Sequence, residues 1–241
     1  MDLSIVIPAF EESKKIAADI KAASQFLQNN HLQGEIIVVD DGSKDNTART
    51  AEEATAALPP SVSLKVHRYD RHMGKGYAVR TGIKKTTGDY VMFADSGSCI
   101  PFENLLPALN LLKKGQCDIA HGSRKIHESN IKRPQSLRRK ICSKLLHWFV
   151  IYYVKVPRQL TDTQCGFKIY RGDAARHLYG QCQTDGFTFD IEIIVRAQKQ
   201  GYRIKEFPID WTCDPDSRLS LTKSPWRVLP ELIAIKHITD R

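Results

Sequence analysis

An α/β architecture, with a mostly parallel sheet and helices on both faces, follows from three features of this sequence. Strand-like apolar runs alternate with helix-length segments through the first half of the chain. The run Ile36-Ile-Val-Val39 is apolar at every position, as a strand covered on both faces requires. It leads directly into Asp40-Asp41-Gly42-Ser43, paired carboxylates and a tight turn before a helix start, at the edge where open α/β sheets bind ligands.

Taken in order, residues 3–7 read as the first strand, and residues 13–29 follow as a helix with Ile16, Ile20, Ala23 and Leu27 at spacings of three and four. After the strand at 36–39, Asp45 is placed to cap a helix over 46–58, which is rich in Ala, Glu and Thr and has no internal Gly or Pro. Further strands are predicted at 63–67, 90–94 and 118–121, with helices over 74–86 and 102–114 in the gaps. No repeat or low-complexity tract interrupts the pattern, and one domain spanning 1–241 is expected.

Composition narrows the function. The chain has 241 residues, 41% of them apolar, and carries a formal charge of +9, which invites acidic partners such as phosphorylated substrates, anionic lipid or nucleic acid. Six cysteines without C-x-x-C spacing fit a reducing compartment. Strand sequence begins within a few residues of Met1, so neither signal peptide nor N-terminal anchor is expected. The longest uncharged apolar run, residues 148–154, is far below the roughly 20 residues of a membrane span.

The texture changes at Arg124. Eight basic residues occur from there to Lys144, against the single acid Glu128. Ile141, Leu145, Leu146, Trp148, Phe149, Ile151, Tyr152, Tyr153 and Val154 then form a helix-length apolar segment. A basic flank beside Trp and Tyr fits a membrane interface, and a buried core helix fits equally well. A second segment of this kind, 225–238, makes 136–156 and 225–238 the candidate membrane-interface helices. Basic residues beside apolar helices, instead of alternating with exposed stacking aromatics, argue against nucleic acid.

Three strands end in chemically related places: Pro8-Ala-Phe-Glu-Glu12, Asp40-Asp41 and Asp95-Ser-Gly97. Parallel strands would gather Pro8, Glu11, Asp41 and Asp95 in one crevice, where carboxylates can accept from ribose hydroxyls and base N–H groups or help hold a divalent cation. The first turn lacks G-x-G-x-x-G, which argues against a hydride-transferring dinucleotide enzyme, and Gly74-Lys75-Gly76 lacks the spacing of an NTPase phosphate loop but fits a backbone turn beside a phosphate.

These motifs, with Arg80 and Gly82, Gly122-Ser-Arg124, Asp162-Thr-Gln-Cys-Gly-Phe-Lys168 and Phe189-Asp-Ile-Glu192, resemble the family 2 glycosyltransferases of GT-A (Rossmann-like) fold over nearly the whole chain. The resemblance is strongest to the branch acting on polyprenyl or dolichyl phosphate, the dolichyl-phosphate glucosyltransferases above all. It implies inverting transfer of a hexose, with UDP-glucose the leading donor, on the cytoplasmic face of a membrane. It also implies that Pro8, Ala9, Glu11 and Asp41 contact the nucleoside, and that Lys75, Asp95 and Arg218 face the diphosphate. Arg124, Arg138 and Arg139 would meet the acceptor phosphate, with Asp95, Asp162 and Asp190 as the catalytic acids. The family's D-x-D pair, which holds Mg²⁺ or Mn²⁺, reads Asp95-Ser-Gly97 here, leaving Asp95 as the lone metal candidate, with Lys75, Arg80 or Arg218 as substitute charges. Cys165 reads as a packing residue. A glycan acceptor and a non-catalytic nucleotide-sugar-binding subunit are the alternatives.

Overall fold

The computed structural model describes residues 1–97, 99–133, 144–146, 148–212 and 225–240. Seven strands form the main sheet in the order β3-β2-β1-β4-β7-β5-β8: β1 Leu3–Ala9, β2 Gly34–Asp40, β3 Val62–Arg68, β4 Tyr90–Ala94, β5 Ile119–Ser123, β7 Phe167–Arg171 and β8 Ile204–Pro208. The pairs β1–β2, β2–β3, β1–β4 and β5–β8 are parallel, and β7 runs antiparallel between β4 and β5. Two short strands, β6 Asn130–Arg133 and β9 Asp210–Thr212, pair apart from it.

Side chains alternate across the sheet with a period of two, and each face has its own core. Leu3, Ile5, Ile7, Ile36 and Val38 join one cluster with α1 (Ile16–Asn29) and α4 (Leu105–Lys113), around Phe26, Phe102, Phe167 and Phe207. Val6, Ile37 and Val39 join the other with α3 (Lys75–Lys84), α5 (Gly172–Gln181) and α6 (Phe189–Lys199), around Phe93, Tyr170, Tyr179 and Phe189. All seven residues of β2 are buried, the condition its apolar run predicts.

Glu35, fully buried in β2, accepts hydrogen bonds from the Ser4 hydroxyl at 2.7 Å, Thr87 N–H at 2.6 Å and Lys65 Nζ at 2.8 Å. Burial pushes this carboxyl up, yet Lys65, Thr87 and Ser4 together hold it below its ordinary value. It staples three parallel strands through groups far apart in sequence, so no local pattern announces it.

Element boundaries shift for local reasons. The first helix starts at Ile16, after a turn in which Lys15 and Ile16 N–H donate to Glu12 O, and α2 (Thr47–Glu53) tightens into a 3₁₀ turn over Ala54–Ala57. Asp45 accepts Thr47 N–H at 3.0 Å from one residue ahead of the N-cap, which is Asn46.

The apolar segment after the basic tract is helical at 144–146 and 148–149 and ends in a π-helical turn, Val150–Val154. Part of it is buried and part is exposed. Val150 and Val154 are buried against Ile191, Ile194 and Val195 of α6 and against Leu232 and Ile235 of α7 (Pro225–Asp240), while Leu145, Trp148 and Tyr152 are 65, 61 and 55% exposed. Leu229 and Ile233 of α7 are exposed too, beside a shallow apolar groove lined with Pro230, Ala234 and His237. Among the described residues no helix is long and apolar enough to cross a membrane.

Candidate active site

In the strand order 3-2-1-4 the chain leaves β1 towards β2 and β3, then returns to place β4 on the opposite side of β1. Such a reversal opens a crevice at the carboxyl ends of β1 and β4. Pro8 and Ala9, at the end of β1, pair with Val39 and Asp40 of β2, so the two motifs lie side by side. Glu11 follows in left-handed backbone at φ 52°, its N–H donated to the Ser43 hydroxyl oxygen at 2.7 Å.

The two adjacent acids of the β2 end do different work. Asp40 is fully buried and closes its own turn, accepting Ser43 N–H at 3.0 Å and the Ser43 hydroxyl. Gly42 allows that turn: its φ is +74°, and a Cβ there would lie 2.4 Å from the Arg71 carbonyl carbon. Asp41 points across the crevice, accepting Met73 N–H at 2.7 Å and Gly74 N–H at 2.9 Å, with His72 Nδ1 2.9 Å away. Burial raises its carboxyl, partly offset by those two N–H groups and by His72. The 71–74 loop is thereby tied to the strand ends, with the Phe10 and His72 rings in contact at 4.3 Å.

At the end of β4, Asp95 Oδ1 lies 2.5 Å from Lys75 Nζ, at the first residue of α3. Asp95 N–H donates to Gly166 O at 3.0 Å, and a Cβ at Gly166 would fall 2.0 Å from Asp95 Oδ2, so the carboxylate lies directly on the backbone entering β7. The next two residues turn away. Ser96 Oγ and Gly97 N–H both donate to Asp19 Oδ2 of α1, at 2.6 and 2.9 Å, and Gly97 has φ +103°. A divalent cation on the D-x-D pattern needs a carboxylate at 97 and an unencumbered one at 95, and neither condition is met. Among the described residues no group of three His, Cys, Asp or Glu side chains is arranged to hold a metal. The described residues, with Lys75 on Asp95 and a glycine at 97, do not fit such an ion.

Deeper in, charged side chains of alternating sign surround Cys165. Lys168, fully buried on β7, lies 2.8 Å from Asp190 Oδ1 of α6 and donates to Cys165 O at 2.7 Å. Asp190 also feels Lys75; burial nevertheless leaves its carboxyl above the ordinary value. For Lys75, burial acts downward, and Asp95 then Asp190 reverse it, so the ammonium is held charged. Arg124 and Asp162 form the third pair, Nε to Oδ2 at 2.6 Å and Nη2 to Oδ1 at 2.7 Å, under the Trp211 ring. Burial would raise Asp162, but the Arg124 charge and hydrogen bonds bring it down to about 2. The Cys165 thiol, pushed up to about 12 by burial, stays neutral and is a packing group, as read from sequence.

Of the residues expected from sequence, Pro8, Ala9, Glu11 and Asp41 border the first half of this crevice, Lys75, Asp95 and Asp190 meet in its second half, and Arg124 with Asp162 flanks it. Arg80 is committed elsewhere, donating to Asp185 Oδ1 at 2.6 Å and Cys182 O at 2.9 Å. Arg138, Arg139 and Arg218 lie outside the described residues.

Lys168, Asp19 and Glu206 hold positions in the site that were not read from sequence. Glu206 of β8 accepts Thr161 N–H at 2.9 Å and Asp162 N–H at 2.8 Å, fixing the loop that carries Asp162. The only available signal was Lys168 closing a quoted motif. Asp19 and Glu206 carry none, because their partners are 77 and 44 residues away.

Fold and crevice define a nucleotide-sugar-dependent glycosyltransferase of the GT-A kind. The chain belongs to glycosyl transferase family 2, whose model matches residues 4–179. It is 28% identical to the dolichyl-phosphate beta-glucosyltransferase of Dictyostelium discoideum over 97% of this chain and 73% of that protein. To the enzyme of the same name from Homo sapiens it is 31% identical, over 90% and 69%. Among solved structures it resembles glucosyl-3-phosphoglycerate synthase from Mycobacterium tuberculosis in complex with Mn²⁺, uridine diphosphate and phosphoglyceric acid, with a TM-score of 0.72, 17% identity and coverage of 98% of this chain and 78% of that one. Mannosyl-3-phosphoglycerate synthase from Rubrobacter xylanophilus gives 0.68, 17%, 97% and 73%. At such identities these structures speak to fold alone.

Proposed function

We propose that this protein transfers glucose from UDP-glucose to dolichyl phosphate or a related polyprenyl phosphate, at the surface of a membrane and on its cytoplasmic side. What carries the reading is one juxtaposition: the crevice of Asp41, Asp95 and Lys75 is flanked by the Arg124–Asp162 pair, on a chain whose relatives over nearly its full length are dolichyl-phosphate beta-glucosyltransferases.

The nucleoside lies along Pro8, Ala9 and Glu11, beside Asp41, whose grip on the 71–74 loop shapes the pocket wall. Lys75, at the N-terminus of α3, faces the diphosphate, where a cation and a helix dipole both favour negative charge. Asp95 steadies that ammonium. The acceptor brings its own nucleophile, because a phosphate monoester with a second pKa near roughly 6 is largely dianionic at neutral pH. No strong base is needed. The protein must align the phosphate oxygen with the anomeric carbon and keep two anionic groups together, which is work for Arg124, oriented by Asp162. Attack from the face opposite the leaving group gives a β-linked lipid phosphosugar. Asp190, paired with Lys168 on the crevice floor, orients the sugar or acceptor.

Leu145, Trp148, Tyr152, Leu229 and Ile233 present an apolar surface on two packed segments, consistent with seating the protein among lipid headgroups while the acceptor's phosphate reaches Arg124. The deciding experiment supplies purified protein with radiolabelled UDP-glucose, GDP-mannose or UDP-N-acetylglucosamine and dolichyl phosphate. Label from UDP-glucose should enter an organic-soluble, acid-labile product. Transfer only to water-soluble glycans, or from another donor, would overturn the proposal.

A further inference from the structure

We infer that Lys75, seated on Asp95, is the resident counter-charge for the donor diphosphate, and that this chain binds its nucleoside diphosphate without a divalent cation. The inference rests on the donor reading above and concerns how that site is neutralised.

Three features converge. The first is position 97. It lacks a carboxylate, and its backbone has φ +103°, a region that glycine adopts freely and other residues only under strain. Its N–H is fixed to Asp19 Oδ2, as is the Ser96 hydroxyl. The turn is built around a glycine anchored to α1, so an acid at 97 would be strained as well as missing here. The second is Asp95, which has Lys75 Nζ at 2.5 Å and is packed on Gly166. A metal ion would have to displace that ammonium from Asp95. The third is where Lys75 stands. Its side chain is 21% exposed, between Asp95 and Asp190, at the head of the ten-residue helix α3, with the Phe189 ring 6.0 Å from Nζ. One full charge plus the roughly half charge of a helix N-terminus approaches what a divalent ion offers an incoming diphosphate. An ammonium has three donors, so it can keep Asp95 while reaching phosphate oxygen.

Other described cations near the crevice do not take this part. Arg80 is turned onto Asp185 and Cys182 O, Lys168 lies fully buried on Asp190, and Arg124 is assigned to the acceptor phosphate in the reading above.

The test is calorimetric titration of UDP and of uridine into wild type, Lys75→Met and Lys75→Arg, each in EDTA and in Mg²⁺ or Mn²⁺. Wild-type affinity for UDP should change less than about threefold on chelation. Lys75→Met should weaken UDP about 10- to 100-fold, the range of one charge-assisted contact, leave uridine unchanged, and gain nothing from metal. Lys75→Arg should recover most of the loss. A tenfold or greater loss of wild-type UDP affinity in EDTA, or Lys75→Met binding UDP like wild type, overturns the inference. If Lys75→Met loses uridine as well, its fold is damaged, and the wild-type chelation result with Lys75→Arg decides. These binding ratios are independent of whether glucose reaches a lipid acceptor, so failure of the transfer assay and failure of this inference are read separately.

Discussion

The Arg124 guanidinium holds the Asp162 carboxylate at two points, 2.6 and 2.7 Å, and Asp162 also accepts Arg124 N–H at 3.1 Å, so one acid fixes both the side chain and the backbone of the same basic residue. Asp162 is 3% exposed, and removing it would leave a mostly buried guanidinium uncompensated. Asp162→Asn should cost about 3–5 kcal/mol of stability at neutral pH, measured by urea unfolding.

The same pair predicts a pH dependence. The Asp162 carboxyl is depressed from 3.8 to about 2, so its contribution is complete above its unfolded value and disappears as pH falls through the folded one. The stability gap between wild type and Asp162→Asn should therefore shrink by about 2 kcal/mol between pH 5 and pH 2. A gap constant over that window would refute the assignment.

Glu206 fixes the loop carrying Asp162 without facing the donor crevice. Glu206→Ala removes its hydrogen bonds to Thr161 and Asp162. The expected result is a rise of about tenfold or more in acceptor KM, the worth of a charged hydrogen bond, with UDP affinity unchanged. Equal losses on donor and acceptor would show that the loop serves both.

Lys168 and Asp190 form a buried pair whose members should fail separately and compensate together. Lys168→Met strands a buried carboxylate and should destabilise by about 3–5 kcal/mol, whereas the double change Lys168→Met with Asp190→Leu should recover much of that in thermal unfolding. Transfer should remain lost in the double variant if Asp190 orients the sugar or acceptor as proposed.

Leu145, Trp148 and Tyr152 are exposed, and the Trp148 and Tyr152 rings touch each other, with Arg158 over Tyr152, so Leu145→Ser, Trp148→Ser and Tyr152→Ser combined should cost no more than about 2 kcal/mol of thermal stability. Flotation with liposomes containing anionic lipid should retain wild type and release the triple variant by at least tenfold, since each side chain would contribute about 1.5–3 kcal/mol when covered by lipid. Equal retention of both proteins would place the lipid contact elsewhere.

The sequence by itself determined the sheet's first half and the donor edge. A strand buried on both faces must be apolar throughout, and a turn as tight as the one after Asp40 demands glycine, so β2, its twin acids and its helix were legible as local pattern. The flanking strands read at 3–7 and 90–94 were legible as apolar runs too, and the one read at 63–67 by alternation, Leu64 and Val66 less exposed than Ser63 and Lys65. Only the tertiary structure decided the second half, where β7 runs antiparallel between two strands far from it in sequence and brings Lys168 under Asp190. It also decided which carboxylates are occupied. Asp95 meets Lys75, Asp162 meets Arg124 and Gly97 meets Asp19, each across 20 to 78 residues. An ion pair has no periodicity to read: its energy depends on distance and burial, and those exist only once the chain has folded.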